Sequence, residues 1–113
     1  MSQEFEQARD QWVNAYYLGD IQQLKRFEHS QLQIIYANKN QIEPSIGRYE
    51  KIAHAVNNGV WKPQKAKIHI EEYEFDRDHL HCKVTLKAED LQLIAEEQWR
   101  FEQHWMLLEL TVF

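Results

Sequence analysis

Residues 65–113 read KAKIHIEEYEFDRDHLHCKVTLKAEDLQLIAEEQWRFEQHWMLLELTVF. Apolar and polar side chains alternate along most of this stretch, the period of half-buried extended strands. Arg77-Asp78, Glu89-Asp90 and Gln103-His104 interrupt it, so the pattern predicts an antiparallel meander of strands at about 65–76, 79–88, 91–102 and 105–113. Neither Arg77-Asp78 nor Glu89-Asp90 holds the glycine that two-residue hairpins favour, and longer loops fit as well.

Pairing across those turns tests the meander, because opposed residues share a face. The first turn sets Glu74 against His81 and Glu72 against Lys83 on one face, with Phe75 against Leu80 and Tyr73 against Cys82 on the other. The second sets Lys83 against Glu96 on the polar side, and Leu80–Trp99, Val84–Ala95 and Leu86–Leu93 on the apolar side. The third sets Trp99 against Leu108 and Phe101 against Met106.

This register carries His69, Glu71 and Glu97 onto the apolar face beside Tyr73, Cys82 and Trp99. A carboxyl aimed into an apolar concavity is costly unless partnered, and such groups are candidate acids and bases. Glu97 interrupts a clean alternation between Ala95 and Trp99. Glu71 has a second reading, a β-bulge that would bury Ile68, Ile70, Tyr73 and Phe75 together.

The last strand is apolar on both faces, with Met106, Leu108, Leu110 and Val112 on one and Trp105 and Leu107 on the other. Helices cover one side of a sheet only. A homodimer through the outer sheet face is therefore expected.

Upstream, the period changes to that of helices. Phe5, Ala8, Trp12, Ala15 and Tyr16 form an inward stripe over residues 3–18, with Glu4, Gln7, Arg9 and Asp10 assigned to the polar side. Ser2 is a candidate cap and Gly19 a candidate left-handed stop. Asp20, with Gln23 three residues on, opens a short helix that turns Ile21, Leu24 and Phe27 inward and ends near His29. Residues 32–37 read as a strand and Asn38-Lys39-Asn40 as a turn. Pro44 starts a third helix with the stripe Tyr49, Ile52, Ala53 and Val56, which Asn57-Asn58-Gly59 ends. Trp61-Lys62-Pro63 crosses into the sheet.

The expectation is thus an α+β fold over a single domain, residues 1–113, with three N-terminal helices packed on a curved antiparallel β-meander. A chain of 113 residues holds one core. The net charge of −5 opposes nucleic-acid binding, and Lys62, Lys65 and Lys67 read as a solvated edge. No apolar run is long enough to cross a membrane. The single cysteine, Cys82, and the absence of a basic start followed by an apolar run predict a reducing, cytoplasmic setting.

The order of helices and strands resembles the nuclear transport factor 2-like superfamily, whose fold is a cystatin-like cone. So do Leu18-Gly19-Asp20 followed by Leu24, the run Glu43-Pro44-Ser45-Ile46-Gly47, and the closing Gln98-Trp99-Arg100-Phe101-Glu102-Gln103-His104-Trp105-Met106. The superfamily shares a fold, not one activity; it includes ketosteroid isomerase, scytalone dehydratase, SnoaL-like polyketide cyclases, dioxygenase small subunits and proteins that only bind or assemble partners. The isomerase pattern places its oxyanion-stabilising tyrosine at Trp12, with Tyr16 and Tyr17 out of register, and its catalytic aspartate at Tyr36 or Asn38. None of these is the required residue, which counts against the isomerase chemistry.

Other chemistries are weaker still. His79 and His81 share one side of a strand with Glu74 opposite His81, but no third ligand closes a metal site, and none is expected. Cys82 has no basic neighbour on its face and reads as an inert buried thiol. There is no glycine-rich phosphate loop, and no cofactor is expected.

The resulting expectation is a homodimeric domain whose cone binds a small apolar ligand or is filled by its own side chains. Trp12, Tyr16, Tyr49, His69, Tyr73, Cys82 and Trp99 are the candidate pocket residues. One alternative is a SnoaL-like lyase or isomerase with Glu97 or Glu71 as general acid or base and Tyr16 or Tyr73 donating to developing charge. Another is a protein-assembly module using the outer sheet face.

Overall fold

The computed structural model describes residues 2–113, without the side chain of Ser2, so the capping role expected of Ser2 lies outside the described residues. Helix α1 spans Ser2–Leu18 and buries Phe5, Trp12 and Ala15. Its end is a Schellman closure: Gly19 has φ +70°, its N–H donates to Tyr16 O (3.1 Å), and Asp20 N–H donates to Ala15 O (2.9 Å). Asp20 then caps α2, Ile21–Phe27, by accepting from Gln23 N–H at 3.2 Å. One residue thus closes one helix and opens the next.

Strand β1, Glu28–Tyr36, follows α2 without a loop and begins four residues before the expected 32. Its first residues are polar, so periodicity alone does not mark them; Glu28 pairs in parallel with Leu107 of the last strand, and after an irregular step that ladder resumes at Gln33. A 3-10 turn at Ala37–Lys39, with Asn40 at φ +51°, leads into β2, Gln41–Pro44, which pairs antiparallel with β1. This short edge strand is not visible in the hydrophobic pattern. Helix α3, Ser45–Asn57, buries Ile52 and ends in a second Schellman closure at Gly59 (φ +68°), with Gly59 N–H on Val56 O and Val60 N–H on Ala55 O.

The meander follows as β3 Ile70–Phe75, β4 His81–Lys87, β5 Leu93–Glu102 and β6 His104–Val112. The curved, unclosed sheet has the order β2-β1-β6-β5-β4-β3, with β1 and β6 parallel. The architecture is the expected α+β one, three helices on a curved sheet. The first two hairpins differ from the expected register by two residues: Tyr73 faces Val84 rather than Cys82, Glu74 faces Lys83 rather than His81, and Leu86 faces Ala95 rather than Leu93. Both loops are longer than two residues. His79 (φ +58°) and Leu91 (φ +68°) take the left-handed conformation that the missing glycines would have supplied, and Asp78 and Asp90 accept from the N–H groups of Leu80 and Gln92. A slip of two keeps every side chain on its expected face.

The third hairpin turns on Gln103 (φ +65°), so Phe101 meets Trp105 and Trp99 meets Leu107. A bulge then makes Leu108 an extra residue, after which Gln98 meets Glu109 and Glu97 meets Leu110. The bulge explains the doubly apolar strand. Trp105 and Leu107 point inward before it, and Leu110 and Val112 after it, which leaves Met106 and Leu108 outward.

The two Schellman glycines make a paired test. An alanine Cβ at Gly19 would stand 2.5 Å from Val56 Cγ2 and 2.9 Å from Trp61 Cδ1, whereas nothing lies within 4 Å at Gly59. Gly59→Ala should cost only the left-handed backbone penalty, about 1–2 kcal/mol. Gly19→Ala should cost that and a further 1–3 kcal/mol or so for overpacking. Urea unfolding of both variants checks the difference, and equal losses would count against the close approach at Gly19.

Candidate functional site

Between α1 and the inner sheet face lies a cavity of about 380 Å³. Val13, Ile34, Ile68, Leu86, Ile94, Leu110 and Val112 supply its apolar wall, with Trp12, Tyr16, Tyr17 and Tyr36 among them. The polar groups on it are Arg9, Arg48, Glu71 and Glu97.

Glu97 is 1% exposed, and both its oxygens are occupied. Arg9 Nε donates to Oε1 at 2.8 Å and Nη2 to Oε2 at 2.7 Å, while Trp99 Nε1 donates to Oε1 at 2.8 Å. Arg9 is 5% exposed and therefore belongs to the inward stripe, not to the polar side expected for it. It lies four residues after Phe5 and three before Trp12, a position that periodicity marks as inward and charge alone argued against. Burial works to lower the guanidinium pKa, but the hydrogen bonds and charge of Glu97 outweigh it and hold the group above its ordinary value.

A second buried carboxylate stands at the junction of α2 and β1. Glu28 is 2% exposed and accepts from Arg48 Nη1 (2.9 Å to each oxygen), Tyr49 Oη (2.7 Å) and Trp12 Nε1 (2.8 Å). Burial, then the bond to Glu28, raises the Tyr49 pKa. The indoles of Trp12 and Trp99 meet edge to face at 5.4 Å, so the two ion pairs are joined through their tryptophan donors. Sequence reasoning missed Glu28 and Arg48. The signal for Arg48 was its place four residues before Ile52 on the α3 stripe; Glu28, between helix and strand, belongs to neither period.

Of the other residues singled out in the sequence, Trp12 and Tyr16 line the cavity. Tyr49 stands behind it on Glu28. Trp99 lies below it, 5.5 Å from the Phe5 ring and 83° from its plane. Tyr73 faces inward from β3, edge-on to Phe5 at 5.5 Å, and burial pushes its hydroxyl up to about 12, although Arg9 works the other way. Cys82 is 1% exposed within the core, and burial pushes its thiol up to about 12, which leaves it protonated and inert at neutral pH. His69 is exposed, because it precedes β3, and its backbone N–H donates to Lys87 O at 2.9 Å.

Glu71 pairs with Leu86 in an unbroken β3–β4 ladder, so the bulge reading does not hold and its side chain faces the cavity wall. It is 43% exposed, accepts from Tyr73 Oη at 3.2 Å and lies 3.7 Å from Arg9 Nη1. Of the isomerase positions, Trp12 spends its N–H on Glu28, Tyr36 donates to Glu43 at 3.1 Å, and Asn38 sits in the 3-10 turn. The ligand atoms of Asp76, Asp78 and His81 lie within 4.8 Å of one another at the β3–β4 turn, and Glu74, expected opposite His81, pairs with Lys83 instead.

No protein-family model matches the sequence, and no curated protein matches it significantly. Solved structures do. An NTF2-like protein from Cytophaga hutchinsonii superposes with a TM-score of 0.70 at 12% identity, over 95% of this chain and 92% of the other. A CaMKII hub from S. rosetta gives 0.65 at 14% identity, over 96% and 92%. A cystatin-like protein of unknown function from Nostoc punctiforme gives 0.60 at 10% identity, over 98% and 88%. The chain has the nuclear transport factor 2-like, cystatin-like fold. Among the described residues, no helix is long and apolar enough to cross a membrane.

The ion pair can be tested directly. Arg9→Met leaves Glu97 buried with Trp99 as its remaining donor and should cost about 3–5 kcal/mol in denaturant unfolding. Adding Glu97→Gln removes the stranded charge and keeps an acceptor for Trp99, so the double variant should be more stable than Arg9→Met alone. A loss of under about 1 kcal/mol for the single variant would match a solvent-screened pair instead.

Proposed function

We propose that this protein is a small-ligand-binding cone domain that takes an apolar molecule between α1 and the sheet and performs no proton transfer at Glu97. The supporting observation is the cavity itself: a largely apolar space of about 380 Å³ whose most buried carboxylate has both oxygens bound by Arg9 and Trp99. A general base must offer a free lone pair to its substrate, and Glu97 would have to give up a bidentate ion pair to do so. The lyase or isomerase alternative then rests on Glu71. Its neighbouring donor, Tyr73, is bonded to Glu71 rather than set apart to meet developing charge, so binding is the better supported reading.

Self-association through the outer sheet face is a second proposal, supported by Met106 and Leu108, which β6 presents near the middle of that face beside its Glu and Lys side chains. The likeness in fold to a CaMKII hub is in keeping with self-association. Sedimentation at high micromolar concentration should show a dimer that Leu108→Glu dissociates. A strictly monomeric wild type would sink this proposal.

For the ligand site, the neutral fluorophore N-phenyl-1-naphthylamine is a suitable probe. Its emission should rise to saturation at one molecule per chain. Val13→Trp, which fills the cavity wall, should abolish the rise while leaving the far-ultraviolet circular dichroism unchanged. An undiminished signal in a folded Val13→Trp variant would place the probe elsewhere and reject the cavity as the site.

A further inference from the structure

The two buried arginines are used differently. Arg9 presents its Nε and Nη2 atoms, the edge of a guanidinium that fits a carboxylate in parallel, to the two oxygens of Glu97. Arg48 holds Glu28 through Nη1 alone. Its Nε and Nη2 have no hydrogen-bond partner among the described residues, although the side chain is only 10% exposed. Those atoms are not sealed in protein either: the fully enclosed side-chain nitrogens without a partner, among the described residues, are His81 Nδ1 and Arg100 Nε. Arg48 lines the cavity, and we infer that the small exposed part of its side chain, the unused edge, meets that space.

This edge is also held still. Nη1 is fixed by both Glu28 oxygens, and the guanidinium carbon lies 5.4 Å from the Tyr16 ring centroid. Fixed donors lose little freedom on binding, which favours a planar, two-oxygen acceptor over a single one. Glu28 does not exclude a second carboxylate from Arg48, because its charge is spread over donors from Trp12, Tyr49 and Arg48. The same sharing already occurs at Arg9, which lies between Glu97 and Glu71. Beyond the arginine, Val13, Ile34, Leu110 and Val112 offer an apolar body no polar partner.

We propose that the cavity takes a small monocarboxylate, its carboxylate gripped by the Nε/Nη2 edge of Arg48 in the fork geometry that Arg9 gives Glu97. The inference rests on the ligand-binding reading above and names the head group that reading leaves open.

The test compares 4-phenylbutyrate with 4-phenylbutanamide, which has the same body but one acceptor oxygen and an added donor. Affinities are read by displacement of N-phenyl-1-naphthylamine and by direct calorimetry. In the wild type the carboxylate should bind about tenfold tighter, equivalent to about 1.4 kcal/mol. Arg48→Lys keeps a cation for Glu28 but loses the fork, and should bring the two ligands close to equal affinity. Because that variant disturbs a buried pair, a second readout uses the wild type alone: the Arg48 Nε–H resonance should move on titration with 4-phenylbutyrate, and that of Arg9 should not. An amide that binds as well as the carboxylate, a preference that persists in folded Arg48→Lys, or an unmoved Arg48 resonance overturns the head-group inference while apolar binding stands. Failure of all three compounds to bind overturns both.

Discussion

The pair between Arg9 and Glu97 ties the first helix to the fifth strand across 88 positions of sequence, and the rest of the inner architecture is arranged around it. Two charges this deeply enclosed persist only if nearly every donor and acceptor is matched. Trp99 completes Glu97, and its indole meets Trp12, which completes Glu28, which in turn anchors Arg48 and Tyr49. Helices α1 and α3 and strands β1 and β5 are thereby fixed in one orientation by directional contacts that an all-apolar core would not supply.

The same network limits the chemistry of the cone. In a fold used for many functions, an inward carboxylate invites the role of acid or base. Here each of the two deepest carboxylates is occupied on both oxygens by groups from other elements. The remaining wall carboxylate, Glu71, is partly solvated and bonded to Tyr73. What the cavity presents to an incoming molecule is therefore mainly hydrocarbon, with the unused edge of Arg48 as its principal fixed donor.

Much of this was legible in the sequence, for a reason that Glu97 illustrates. Strand faces depend on parity, and the pairing of the first two hairpins, each off by two residues, left Glu97, Trp99, Val84 and Tyr73 on the inner face even though their partners changed. Arg9, Glu28 and Arg48 were not legible in the same way. A charged residue on a helical stripe reads as surface unless a partner is known, and each partner here lies on a different element. β2 was missed because Gln-Ile-Glu-Pro is too short to show a period, and the β6 bulge because an extra residue imitates a strand with two apolar faces.

That bulge also divides the molecule. On its hairpin side, Trp105 and Leu107 join Trp99 and Phe5 in close aromatic packing, with ring centroids 5.0 Å apart between Phe5 and Trp105. On its other side, Leu110 and Val112 line the cavity. Interiors packed like the first hold each side chain in place, whereas side chains along a cavity have neighbours on one side only and more room to shift. The cone is thus a stiff plug joined to a more adaptable mouth, and a single inserted leucine marks where one gives way to the other.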